Sequence, residues 1–129
     1  MSQDWVKDNL AFRKACKLPV SSKLTWLDAD QVSLHFRLMR EELGELKEAL
    51  DSGSMDKVAD AYADLIYYAI GGALAHGIDL RPVWDAVHEA NMKKTAGPKR
   101  EDGKQLKPEG WEPPNIWSAL QKGKLDELC

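Results

Sequence analysis

Val58–Ala75, VADAYADLIYYAIGGALA, is apolar on every face but for two aspartates. A helix of that kind belongs in an interior rather than on a surface. Asp60 and Asp64 are four residues apart, so they stack one turn above the other on one stripe. No lysine or arginine occurs between Lys57 and Arg81, so the segment brings no partner for them. Two like charges in apolar surroundings are unstable unless a positive charge lies between them, and a divalent metal is the economical candidate. Gly71-Gly72 inside the same helix costs about 1 kcal/mol per residue relative to alanine, which close approach of a neighbouring helix would explain.

Working outward, the preceding helix is expected over about 28–51, capped by Asp28. Val32, Phe36, Met39, Leu43, Leu46 and Leu50 recur at alternating spacings of four and three, which is a bundle-type seam. Leu34, His35 and Leu38 widen its apolar surface. Gly53-Ser54 breaks the chain, and Ser54 can cap a helix over about 55–76 that Gly77 closes. Upstream, a helix over about 4–18 ends at Pro19. Trp26 in the following connector is expected to anchor onto the core. Downstream, a fourth helix runs over about 80–94 from Asp79 or Leu80, with Pro82 tolerated in its first turn. Trp84, Val87, His88 and Asn91 share one of its faces. From Ala96 onward Gly, Pro and charge dominate, and Ile116, Trp117 and Leu120 are expected to dock a tail, 98–129, onto the bundle.

These periodicities predict an all-α, single domain over 1–129 of four-helix-bundle type, with four principal helices. The third helix is too apolar for so small a monomer to cover, which predicts a homodimer or homotetramer. At 129 residues, 43% hydrophobic and 30% charged, the composition is that of one soluble domain. A net charge of −3 gives no reason to expect a nucleic acid polymer or a membrane as partner. Cys16 and Cys129 make no disulfide framework, and Met1–Arg13 lacks the apolar core of a secretory signal. The uncharged run Leu65–Ala75 falls well short of the roughly 20 residues that span a bilayer. A cytoplasmic location is expected.

The second helix carries Arg40-Glu41-Glu42-Leu43-Gly44-Glu45. Glu41 and Glu45 stack at i,i+4 and Glu42 neighbours Glu45 at i,i+3, spacings at which like charges repel. Taken alone, such a run is ordinary solvated surface. The aspartates of the next helix change its meaning, because helices joined by a short loop are normally antiparallel neighbours. Counted from Gly53, Glu45 lies eight residues back and Asp60 seven forward, while Glu41 and Glu42 lie at the same height as Asp64. Four or five carboxylates at one level, all oxygen donors, describe a site for Mg²⁺ or Mn²⁺, which commonly also binds substrate phosphates.

Glu41-Glu42-x-x-Glu45 followed by an aspartate-bearing apolar helix resembles the all-α NTP pyrophosphohydrolase superfamily. This group includes MazG-like proteins, dimeric dUTPases and phosphoribosyl-ATP pyrophosphohydrolases, whose pattern is EExxE on one helix and ExxD on the next. Asn91-Met92-Lys93-Lys94, Asp102-Gly103-Lys104, Gly110-Trp111 and Pro113-Pro114 extend the likeness, which covers roughly 31–117. The chain departs at Ala61, where the pattern has glutamate, and Asp60 stands one residue earlier. The Gly/Pro-rich tail is more similar to the MazG-like branch than to a histidine-pathway enzyme.

The resemblance implies Mg²⁺-dependent hydrolysis of an NTP or dNTP to the monophosphate and pyrophosphate, by attack of a metal-activated water at the α-phosphate. It implies Glu42, Glu45 and Asp64 as metal ligands, with Asp60 next, and Glu41 as a further ligand or the base. Arg40, Lys93, Lys94 and Lys104 would bind phosphates, and Asn91 substrate or a ligand carboxylate. Two other readings of the same residues are a non-catalytic helical oligomer holding a structural cation and a nucleotide-binding regulator without turnover.

Overall fold

A computed structural model describes residues 3–129 of the chain. Among them the architecture is all-helical, as expected: α1 Trp5–Ala15, α2 Ala29–Ser52, α3 Met55–Ala75, α4 Leu80–Met92, α5 Ile116–Gln121 and α6 Leu125–Leu128. One isolated antiparallel bridge, Lys99 with Gln105, lies outside the helices. The chain forms two compact units, one running through Ile78 and including Leu125–Cys129, the other Asp79–Lys124.

In the first unit α3 packs against both α1 and α2. Val6 and Leu10 of α1, Leu46 and Ala49 of α2, and Ile70 and Leu74 of α3 are buried, and Leu125 of α6 joins them. Local chemistry sets the helix ends. The carboxylates of Asp4 and Asp28 accept the third backbone N–H of the helices they open, from Lys7 at 3.0 Å and Gln31 at 2.8 Å. Ser54 occupies the N-cap of α3 but makes no side-chain capping bond. Both α1 and α3 end in a left-handed residue followed by a back-directed hydrogen bond: Leu18 N to Arg13 O and Ile78 N to Ala73 O, each 2.8 Å. Gly77 supplies the left-handed residue of α3, and Lys17, at φ 57°, that of α1. α1 therefore stops at Ala15, before Pro19 can end it.

Three packing expectations need correction. The seam of α2 is largely uncovered within the chain: Leu46 is buried, whereas Phe36 is 62% and Leu43 58% exposed. Trp26 does not anchor the connector in the core; it is 90% exposed and meets the His76 ring edge-on, centroids 5.9 Å apart. Gly71-Gly72 does not admit a helix backbone. A Cβ on Gly72 would overlap the His35 imidazole, and one on Gly71 would stand 2.8 Å from Arg13 Nη1. The glycines make room for side chains arriving from α2 and α1.

The second unit is held by buried polar ties. The buried Asp79 carboxylate accepts from Arg81 N, Nε and Nη2 and from Lys124 N, joining its two ends. Burial would raise this carboxyl, but those hydrogen bonds and the Arg81 charge hold it below its ordinary value. The excursion after α4 is irregular yet pinned: Trp111 Nε1 donates to Ala90 O at 2.7 Å, and Gln105 Nε2 to Lys94 O and Gly97 O. α5 forms where a short helix was expected, but Ala119 is its buried residue, while Trp117 stands exposed.

Candidate metal centre

α2 and α3 bring Glu42, Glu45 and Asp64 together, with one carboxylate oxygen of each within 4.8 Å of the others. The antiparallel pairing supplies the common height, and the i,i+3 spacing turns Glu42 and Glu45 to one side of α2. Glu42 and Asp64 are half-buried and Glu45 is exposed, so the cluster opens to solvent on one side. Glu42 Oε2 is buried without a hydrogen-bond partner. A buried carboxylate oxygen without a donor is unfavourable and marks a missing positive group.

The electrostatics agree. Burial, a shared hydrogen bond with Glu45 and the charges of Glu45, Asp64 and Asp60 push the Glu42 carboxyl from its ordinary 4.5 to about 7. Burial, followed by the charges of Asp60 and Glu45, raises Asp64 as well. Carboxylates that repel one another in this way suit a hard divalent cation, and oxygen-only donors match magnesium or manganese better than zinc.

The other expected site residues are placed differently. Asp60 is exposed one turn before Asp64; its carboxylate lies outside the converging group but close enough to act on both Glu42 and Asp64. Ala61, where the superfamily pattern has glutamate, is buried. One residue turns a helix by about 100°, which puts Asp60 on a different face from Ala61. Glu41 is exposed and outside the group, and the exposed Arg40 lays its guanidinium over the Phe36 ring at 5.1 Å. Asn91, Lys93, Lys94 and Lys104 belong to the second unit. There Lys93 pairs with Glu89 at 3.4 Å, Lys94 Nζ lies 4.9 Å from the Trp111 ring centre, and Asn91 and Lys104 are exposed. Two residues without an expected site role, Arg13 and His35, line a cavity that Asp64 also lines. Their only mark in the sequence is the glycine pair that seats them.

An all-α chain with this acidic cluster between consecutive antiparallel helices defines a MazG-like nucleotide pyrophosphohydrolase. The family model for phosphoribosyl-ATP pyrophosphohydrolase matches residues 11–91, well over half of the chain, and the chain belongs to that family. Membership makes it a pyrophosphohydrolase acting on a nucleotide. The match covers the helices that carry the acidic cluster and ends at Asn91, before the Gly/Pro-rich tail. The branch it names is thus not the one the tail's composition suggests. Comparison with curated proteins returns no match.

Proposed function

We propose that the chain is a single nucleotide pyrophosphohydrolase domain that hydrolyses a nucleoside triphosphate, or a triphosphate derivative such as phosphoribosyl-ATP, to the monophosphate and pyrophosphate. The observation that carries this reading is the convergence of Glu42, Glu45 and Asp64, with a buried, partnerless oxygen on Glu42. These three carboxylates would hold Mg²⁺, or Mn²⁺ in its place, with Asp60 as the fourth acidic group. A bound divalent cation supplies neutralisation of the phosphate oxygens and orientation of the phosphate chain. Glu42 and Asp64, raised first by burial and then by their neighbours' charges, keep the site from being stable as a bare cluster and so favour the loaded form. Glu41, on the exposed flank of the same helical turn, orients the attacking water by accepting its proton as it adds at the α-phosphorus. Arg40 is available as a cation for the phosphates on the same helix.

The uncovered seam at Phe36 and Leu43 supports assembly of two or four copies, since large apolar side chains in register are rarely left to solvent. No helix among the described residues is long and apolar enough to cross a membrane, and the two cysteines are free and exposed. Both fit a cytoplasmic enzyme. Pyrophosphate release from a panel of NTPs, dNTPs and phosphoribosyl-ATP with Mg²⁺ tests the reading. The expected result is turnover of at least one of them by the wild type and its loss in Glu42→Ala. Equal signals from both proteins on every nucleotide would defeat it, and binding without turnover would favour a nucleotide-binding regulator.

A further inference from the structure

A cavity of about 540 Å³ opens among α1, α2 and α3, and Asp64 of the acidic cluster is part of its wall. Most of the lining is apolar or aromatic, including Phe12, Leu38 and Tyr67. A predominantly apolar cavity with a few convergent polar groups is the usual form of a small-molecule site.

The polar groups gather over the glycine pair of α3. Arg13 reaches across from α1 so that its Nη1 stands 2.8 Å from where a Cβ of Gly71 would be. Its Nε donates to Pro19 O at 3.0 Å, which fixes the guanidinium. Among the described residues it makes no ion pair with a carboxylate. Burial lowers this arginine from its ordinary value with no carboxylate opposing the shift. His35 lies against Gly72; burial first, then the charges of Arg13 and His76, lower it, which favours the neutral imidazole beside the arginine. Asn9 is 1% exposed and its Nδ2 donates to Tyr67 O at 2.9 Å, leaving Oδ1 buried and without a partner near the same spot. A half-buried guanidinium without a counter-ion is unfavourable, and a helix-weakening glycine, Gly71, leaves the room that it occupies.

We propose that this cavity receives the end of the nucleotide remote from the scissile phosphates, and that Arg13 binds an oxygen of that end. This rests on the pyrophosphohydrolase reading of the adjoining acidic cluster. A guanidinium only donates, so the group it takes must accept. Two sources offer such an oxygen: a base carbonyl, which guanine, uracil, thymine and cytosine all carry, or the remote phosphate of a phosphoribosyl-substituted nucleotide. Adenine offers ring nitrogens but no carbonyl oxygen, so an adenine nucleotide without that phosphate lacks it.

The test is steady-state kinetics of the full chain with Mg²⁺ on ATP, CTP, GTP, UTP, dTTP and phosphoribosyl-ATP, for wild type, Arg13→Ala and Gly71→Ala. Gly71→Ala keeps the arginine but moves its tip, in a helix made intrinsically stronger, and so separates misplacement from misfolding. Both variants are expected to raise KM on the preferred substrate by about 10- to 100-fold, the range of a charged hydrogen bond, with kcat within about threefold. Preference for one or more of GTP, UTP, dTTP and CTP over ATP identifies a base carbonyl; preference for phosphoribosyl-ATP over ATP identifies the phosphate. KM unchanged within about twofold in both variants on every substrate overturns the proposal. If the wild type turns over none of them, the pyrophosphohydrolase reading fails by itself. Calorimetric titration with GMP, UMP, dTMP, CMP and phosphoribosyl-AMP then decides: binding lost in Arg13→Ala supports the cavity assignment, and no binding to wild type, or equal binding to both, overturns it.

Discussion

The two halves of α3 sit in opposite electrostatic settings. Its first half carries Asp64 into the group with Glu42 and Glu45, with the Asp60 charge acting from outside it, an excess of negative charge that calls for a cation. Its second half carries no charge, and its glycines accept Arg13 and His35 from the two neighbouring helices. The same backbone thus presents charge where it supplies ligands and withholds side chains where it receives them. The first kind of site is written in the residues of the helix itself. The second is written in what the helix leaves out.

The largest expected effect lies in the acidic half. Asp64→Asn and Glu42→Gln should each lower pyrophosphate release by about 10²- to 10³-fold, the range seen when one electrostatic group of a reaction centre is removed. The helical circular dichroism signal should not change, because neither carboxylate is a core residue. Near wild-type turnover in either variant would remove the ligand assignment and with it the contrast between the halves.

The glycine half should respond in stability. Gly72→Ala would gain helix propensity but drive a methyl into the His35 ring, and overpacking of this kind costs about 1–3 kcal/mol. Urea denaturation of Gly72→Ala, His35→Ala and the double variant measures it. The double variant should recover most of the loss, since the imidazole is what the methyl meets. Simple additivity would mean that His35 is not seated on Gly72.

A third, smaller effect is pH-dependent and belongs to the acidic half alone. Glu42 titrates near 7 in the metal-free folded chain against an ordinary 4.5, so between those values the folded chain binds more protons than the unfolded one. Stability of the metal-free protein should therefore fall as pH rises from about 4.5 to 7, the reverse of the usual carboxylate behaviour. Glu42→Gln should flatten that fall. Mg²⁺ should raise Tm more at pH 8 than at pH 5.5, because the proton and the cation compete for the same oxygens. Melting curves with EDTA and with Mg²⁺ across this range test all three statements, and a Tm insensitive to pH in the metal-free wild type would contradict them.

Outside both halves, Phe36→Ser and Leu43→Ser alter exposed side chains and should change chain stability by no more than about 0.5 kcal/mol. Their expected consequence is on assembly. Sedimentation should show the wild type as a dimer or tetramer and the double variant as a monomer at the same concentration. A monomeric wild type would mean that the seam has no second copy to cover it.

Much of the fold could be read directly. Asp28, Asp79 and the Gly53 and Gly77 breaks gave the bounds of α2, α3 and the start of α4, because caps and left-handed turns are local chemistry. The end of α1 was misplaced because Lys17 adopts the left-handed conformation that glycine usually supplies. The acidic cluster was legible because helical periodicity and an antiparallel turn fix heights. Asp60 shows the limit of that reasoning: height follows from counting, whereas the direction of a side chain depends on how the two helices are rotated against each other.

What the sequence determined by itself, then, is the helical class, the level of the carboxylates on α2 and α3, and the membership that follows from them. Those properties depend on spacing along one chain, which periodicity converts directly into geometry. Only the tertiary structure decided that Asp60 and Glu41 stand outside the converging group, that Trp26 and the α2 seam are uncovered, and that Gly71-Gly72 seats an arginine and a histidine. Each of these depends on contacts between residues far apart in the chain, and no local pattern encodes which distant side chain will fill a gap that a glycine leaves.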